Sequence, residues 1–214
     1  QQFPNILPDT REALLGTWHA FGSKSCPSSS SSSSSSAAHK WKFVHSAYIR
    51  PFTLRDLIRT ASRLCVFVTF NQVSKYTSSQ QRMHCFLEIV DIFAGACRRI
   101  DIFYELVFHL GSIWNIPEEE IKVNVLLRAP QMEVTDKLLQ IGRIWMNIDV
   151  FNNITRKAKG LRNKSFSNTK HSLRTMERLL ACVRMDESAL LVGETGCGKT
   201  TVVQELSDLC GQTL

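Results

Sequence analysis

Apolar positions recur at helical spacing along most of the chain. They lie three or four residues apart in four segments, which we interpret as amphipathic helices with one buried face: 54–64, 83–97, 100–110 and 169–184. Pro117, followed by three glutamates, predicts one more helix start. The segment 134–145 instead favours extended structure, with Leu139 and Ile141 on one face and Arg143 as a candidate third member. The pattern predicts a mainly helical chain.

The helix predicted after residue 53 has a recognisable start. Thr53 and Asp56 fit the [ST]-x-x-[DE] capping box, in which side chains satisfy the first backbone N–H groups of a helix. Arg55, Arg59 and Arg63 fall on a different face from the apolar positions. From their spacing alone we interpret these arginines as a solvent-facing set.

One stretch near the C-terminus carries candidate chemistry. Residues 193–200 fit the phosphate-binding pattern G-x-x-x-x-G-K-[ST]. The four small or apolar residues 189–192 before it predict a buried strand, and apolar positions within 202–210 predict a helix that stops at Gly211. Strand, glycine loop and helix are the context that this motif requires.

The residue types of the loop suit a nucleotide. Glycines let the backbone turn so that its N–H groups point at anionic oxygens, and the following helix adds the positive end of its dipole. Lys199 would reach the β- and γ-phosphates of ATP, and the Thr200 hydroxyl would bind Mg²⁺. The predicted ATP-binding set is Gly193, Glu194, Thr195, Gly196, Cys197, Gly198, Lys199, Thr200 and Thr201.

A working NTPase needs more than this loop. It requires a second strand ending in acidic residues, which hold Mg²⁺ and orient water, and parallel strands that bury the first one. Only 14 residues follow Thr200. We therefore expect the rest of the module to lie beyond Leu214, and we identify no catalytic residue here. Since the chain begins with Gln1, we also expect it to start inside a longer protein.

Composition narrows the class of protein. The sequence contains no run of about 20 apolar residues, which is the length that a membrane-spanning helix needs. The seven cysteines form no C-x-x-C pair, which favours reduced thiols over zinc or a disulfide framework. Cys197, near a helix N-terminus, is a candidate redox thiol, although a tolerated variable position is the simpler interpretation.

Positive charge is concentrated in one segment. Of the net +7, the segment 156–184 carries +8, from nine Lys and Arg and one acidic residue, Glu177. This segment could contact a nucleic acid or an acidic protein, or form a solvated linker and helix face. A run of serines at 28–36 predicts a disordered insertion, which we place at 27–40.

Three stretches together resemble the midasin family of AAA+ ATPases. The start of one of its ATPase modules is similar to residues 176–183 (MERLLACV) followed by 190–204 (LLVGETGCGKTTVVQ). Residues 52–57 (FTLRDL) resemble its lid helix. The segment that joins one module to the next is similar to residues 134–135 and 139–143 (LQIGR). The resemblance covers most of the chain outside the serines.

The resemblance implies the fold and the domains. The implied fold is mainly α, with the helical lid of a preceding AAA+ module at the N-terminus and an incomplete α/β P-loop module at the C-terminus. The implied boundaries are 1–115 for the lid, 116–167 for an inter-module connector, and 168–214 for the start of the P-loop module.

The resemblance also implies the activity and one further residue. The activity is an ATPase that uses ATP and Mg²⁺ in the longer protein to release assembly factors from pre-60S ribosomal particles, in the nucleolus and nucleoplasm. The implied partners are the other AAA+ modules of the same polypeptide, those particles and their assembly factors, with no membrane. Arg55 matches a lid arginine that senses nucleotide.

Two further interpretations belong to other classes. One is a non-catalytic helical interaction module with a structural nucleotide site, and the other is an RNA-contacting scaffold built on the basic segment 156–184. A downstream strand ending in paired acids would favour the enzyme. A steep loss of binding with added salt would favour the scaffold.

Overall fold

The computed structural model describes residues 8–21, 53–70, 78–97, 99–148 and 166–211. The chain forms two compact units, Gln1–Leu126 and Leu127–Leu214. The predictions for the serine insertion and for the basic residues before 166 lie outside the described residues.

The first unit is helical throughout its described part. Its helices are α1 (Pro8–Phe21), α2 (Leu54–Phe70), α3 (Ser78–Ile89), α4 (Ile100–Ile113) and α5 (Glu118–Ile121). Helix α3 continues into a π-helical turn, Val90–Ala94, and α5 continues into a second one, Lys122–Leu126. The helices predicted at 54–64, 83–97 and 100–110 are confirmed.

The first unit buries one apolar core. Its most deeply buried side chains include Leu64, Phe86, Leu106, Leu110 and Ile121, from α2, α3, α4 and α5. These positions follow the helical period of the sequence, so packing of one apolar stripe per helix accounts for the core.

The start of α2 confirms the predicted cap. The backbone N–H of Thr53 donates to Asp56 Oδ2 at 2.8 Å, and its hydroxyl donates to the same oxygen at 2.9 Å. The interpretation of the arginines as a solvent-facing set is wrong for Arg63, which is buried. Its Nη1 donates to Glu88 Oε2 on α3 at 3.0 Å, and this long-range partner explains the burial.

The second unit combines a small sheet with two helices. Strands β1 (Met132–Val134), β2 (Leu138–Ile141) and β3 (Ile144–Asn147) form an antiparallel meander in the order β1-β2-β3. Helix α6 (Lys170–Arg184) packs on β2 and β3, and α7 (Lys199–Cys210) packs on α6. The extended structure predicted around 134–145 is confirmed, with Leu139 and Ile141 fully buried.

Both helices of this unit begin and end as the sequence indicates. Thr169 caps α6, because its Oγ1 accepts a hydrogen bond from the backbone N–H of Ser172 at 3.1 Å. Gly211 ends α7 in the left-handed conformation, with φ of 74°. Side chains of β2, β3, α6 and α7 share one core, so the sheet and the two helices form a single packed layer structure.

The strand predicted at 189–192 is wrong. Residues 187–194 have no regular secondary structure, and Leu190 and Val192 are 87% and 67% exposed. A buried parallel strand needs neighbouring strands on which to form hydrogen bonds. In the described part of the chain, the three strands pair only with one another, so this segment has no sheet to join.

The fold class is therefore mainly helical with one small three-stranded sheet. The structure divides the chain after Leu126, and the strands lie in the same unit as α6 and α7. The boundaries at 115 and 167, and the assignment of a P-loop module at the C-terminus, stay predictions.

Candidate functional site

The loop before α7 has the backbone conformation that its glycines allow. Gly196 and Gly198 have φ of 81° and 80°, in the left-handed region that other residues seldom adopt. Gly198 is the N-cap of α7, so Lys199 is the first residue of the helix. The loop thus leads directly into the helix, whose first-turn backbone N–H groups have no partner within the helix itself.

The Lys199 side chain folds back over this loop. Its Nζ donates to the carbonyl oxygens of Gly193 at 3.0 Å and Glu194 at 2.6 Å, and it lies 3.5 Å from Cys197 Sγ. The ammonium and the positive end of the α7 dipole are therefore both contributed by one short segment, which suits an anionic ligand.

The loop leaves room for such a ligand. A Cβ atom built on Gly196 or on Gly198 would meet no other atom within 4 Å, so each glycine faces open space. Glu194, Thr195 and Thr200 are exposed as well. The nine predicted binding residues are contiguous from 193 to 201, and this open loop with a lysine over it fits a phosphate group.

The loop offers one candidate ligand for a metal ion. Thr200 lies exposed in the first turn of α7, where its hydroxyl could serve as one ligand. Among the described residues, no group of three or more His, Cys, Asp and Glu side chains could hold a metal ion. Thr200 fits the role of one Mg²⁺ ligand, and the described residues supply no acidic cluster to accompany it.

Arg55 belongs to the other unit. It is exposed on the first turn of α2 and makes no hydrogen bond or ion pair with the residues that the structure describes. Its role as a nucleotide sensor stays a prediction.

Sequence analysis missed an ionic cluster in the second unit. Glu177, on α6, is 2% exposed, and its carboxylate accepts hydrogen bonds from the Arg128 guanidinium and from the backbone N–H of Arg143, the latter at 2.8 Å. The Arg143 guanidinium adds an ion pair at 3.2 Å. The signal was present, because Glu177 is the single acid of the basic segment and its neighbours i−1 and i+2 are buried core residues.

Basic residues of α6 are used within the second unit itself. Arg174 Nε donates to the Arg128 carbonyl oxygen at 2.9 Å, and the Arg184 guanidinium lies 4.5 Å from the centre of the Trp145 ring. The second contact is a cation–π interaction. These contacts account structurally for part of the charge that could otherwise be assigned to an RNA surface.

The cysteines of the described ranges are free thiols, and burial raises the pKa of Cys85 to about 12. Cys197 is exposed in the loop beside Lys199.

None of the described helices has the length and apolar character needed to cross a membrane.

Comparison with known proteins finds a similarity to midasin. The family model described as the midasin AAA lid domain matches residues 1–102. The chain is 28% identical over 180 residues to midasin of Dictyostelium discoideum, an alignment that covers 75% of the chain and 3% of that protein. No solved structure matches the chain significantly. The chain spans about 3% of the length of this relative, and residues 1–102 are similar to the midasin AAA lid domain.

Proposed function

We propose that this chain is part of an ATP-driven remodelling ATPase and that residues 193–201 bind the phosphates of ATP. The observation that carries the proposal is the position of Lys199, whose ammonium lies over a glycine loop at the amino end of α7. The match to the midasin AAA lid domain, over residues 1–102, precedes this loop in the same chain and supports the proposal.

Each residue of the loop has a distinct role in the proposal. Gly196 and Gly198 provide open backbone for the phosphate oxygens, because no side chain fills the space beside them. Lys199 exchanges its two carbonyl contacts for the β- and γ-phosphates, and Thr200 offers its hydroxyl to Mg²⁺. Mg²⁺ would neutralise charge on the phosphates during hydrolysis.

The similarity to midasin supports a proposal about wider roles. We propose that the longer protein forms a set of AAA+ modules and uses ATP to release assembly factors from pre-60S ribosomal particles in the nucleolus and nucleoplasm. We further propose that Arg55 reports nucleotide state through the lid. A guanidinium suits that task because it stays charged and donates two hydrogen bonds to one phosphate.

The test is ATP binding and turnover by the longer protein. Lys199→Ala should weaken ATP binding by about tenfold or more, since it removes a charge-assisted contact to the phosphates. Lys137→Ala removes an exposed lysine from the β1–β2 turn of the same unit and is the matched control. Equal ATP affinity in the Lys199 variant and the parent would contradict the assignment of the loop.

The 214-residue chain alone gives a second test. We expect no steady ATP turnover from it, because its described residues supply no acidic cluster for Mg²⁺. Turnover by the purified chain that Lys199→Ala abolishes would show that the chemistry needs nothing beyond these residues, and would contradict this part of the proposal.

A further inference from the structure

The first residues of the second unit are fastened to helix α6 at two points. The Arg128 guanidinium donates to Glu177, and the Arg128 carbonyl oxygen accepts from Arg174 Nε at 2.9 Å. Arg174 and Glu177 are three residues apart on α6 and therefore lie on one face of it. One residue of the entering chain is thus held by its side chain and by its backbone.

The same glutamate also holds the β2–β3 turn. Both the backbone N–H and the guanidinium of Arg143 contact the Glu177 carboxylate. Gly142, with φ of 57°, packs so closely that a Cβ atom there would lie 2.8 Å from the Glu177 carboxyl carbon. The N–H of Gly142 donates to the Gln131 carbonyl at 2.7 Å, which ties the turn to the entering segment as well.

Burial of this cluster opposes the loss of its contacts. Glu177 is 2% exposed, and the side chains of Arg143 and Arg128 are 5% and 21% exposed. Release of the Arg128 side chain would leave the buried Glu177 carboxylate with Arg143 as its remaining cationic partner among these residues, which is unfavourable. Both bonds therefore oppose local release of the segment.

We propose that Arg128, Arg174 and Glu177 form a fixed joint that fastens the chain to α6 immediately after it leaves the first unit at Leu126. A displacement of the chain at Leu127 must then carry α6 with it or break both bonds. Helix α6 shares its core with α7, whose first residue is Lys199, so such a displacement reaches the base of the loop helix. The joint is a conformational device, and it does not depend on nucleotide binding.

Proteolysis of the full chain by thermolysin tests the joint. The enzyme cuts before leucine, and Leu127 is 68% exposed, so cleavage between Leu126 and Leu127 is limited by local release of the segment. Arg128→Gln and Arg174→Gln each remove one charged fastening bond and keep a long side chain, and neither introduces a residue before which thermolysin cuts. Each should raise the cleavage rate at this position by about tenfold, and the double variant should raise it further.

Controls separate the joint from general destabilisation. Arg99→Gln removes an arginine–carboxylate pair from the surface of the first unit and should leave cleavage before Leu127 unchanged. Cleavage before Leu179, which is buried inside α6, should also stay slow in the joint variants. Glu177→Gln weakens the bond to the Arg128 side chain and leaves the bond from Arg174 to the Arg128 carbonyl, so it should behave as the Arg128 variant does; the arginine variants decide the matter should it fail to fold.

Two results would overturn the joint. One is a cleavage rate before Leu127 that is the same in the parent and in the double Arg128 and Arg174 variant. The other is a rise before Leu179 equal to the rise before Leu127, because the bonds would then stabilise the unit as a whole and would not fasten one segment.

Discussion

Arg63 and Glu88 form a buried ion pair between α2 and α3, with 3.0 Å between Arg63 Nη1 and Glu88 Oε2. Their side chains are only 5% and 8% exposed. Arg63→Met would leave the Glu88 carboxylate buried without this partner. We expect the variant to lower the free energy of unfolding of the first unit by about 3–5 kcal/mol, measured by urea denaturation.

The double variant Arg63→Met with Glu88→Leu is the control for this pair. Replacing both charges with apolar side chains of similar size should recover most of the lost stability. If Arg63→Met alone has no effect on the urea midpoint, the pair contributes nothing and the burial of Arg63 lacks an energetic consequence.

Gly142→Ala should destabilise the second unit more than Gly196→Ala does. Both glycines have positive φ, so each substitution carries a backbone cost of about 1–2 kcal/mol. At Gly142 the added Cβ also meets the Glu177 carboxylate, whereas at Gly196 it meets nothing within 4 Å. We expect a difference of about 1–3 kcal/mol between the two unfolding free energies. Equal losses of unfolding free energy would show that the turn shifts enough to relieve the contact between the added Cβ and Glu177.

His109 should make the first unit sensitive to acid. Desolvation on α4 lowers the pKa of His109 from 6.5 to about 4. The unfolded chain therefore takes up a proton near pH 6.5 that the folded chain takes up only near pH 4, so stability is full above pH 6.5 and is lost as the pH falls towards 4. His109→Gln should flatten the dependence of urea midpoint on pH between 6.5 and 5. Identical profiles would contradict the lowered pKa.

Arg55→Ala should lower ATPase or remodelling activity of the longer protein with little change in folding stability. Arg55 is exposed and makes no bond to the described residues, so its removal costs no packing. Arg59→Ala, one turn further along α2, should lower activity less. Activity in the Arg55 variant equal to that of the parent would return Arg55 to the role of a solvated arginine.

Local features of this protein were determined by the sequence itself. Two examples are the capping pair Thr53 and Asp56 and the helix stop at Gly211. Each involves residues at most a few positions apart, so the local sequence is enough to predict the backbone there. The positive φ of Gly198 follows from the glycine pattern of the loop in the same way. Helical apolar spacing likewise identified most of the helices, because one face per helix must be buried.

Tertiary structure alone decided where charges and strands went. The spacing of Arg63 indicates a surface residue, but its side chain is buried against Glu88, which lies 25 residues further along the chain. Glu177 binds Arg128 and Arg143, which lie 49 and 34 residues before it in the sequence. The spacing of residues along one helix cannot predict pairs that are so far apart. The apolar residues 189–192 have the composition of a strand, but a strand exists only where another offers it hydrogen bonds, and the described residues place none beside them.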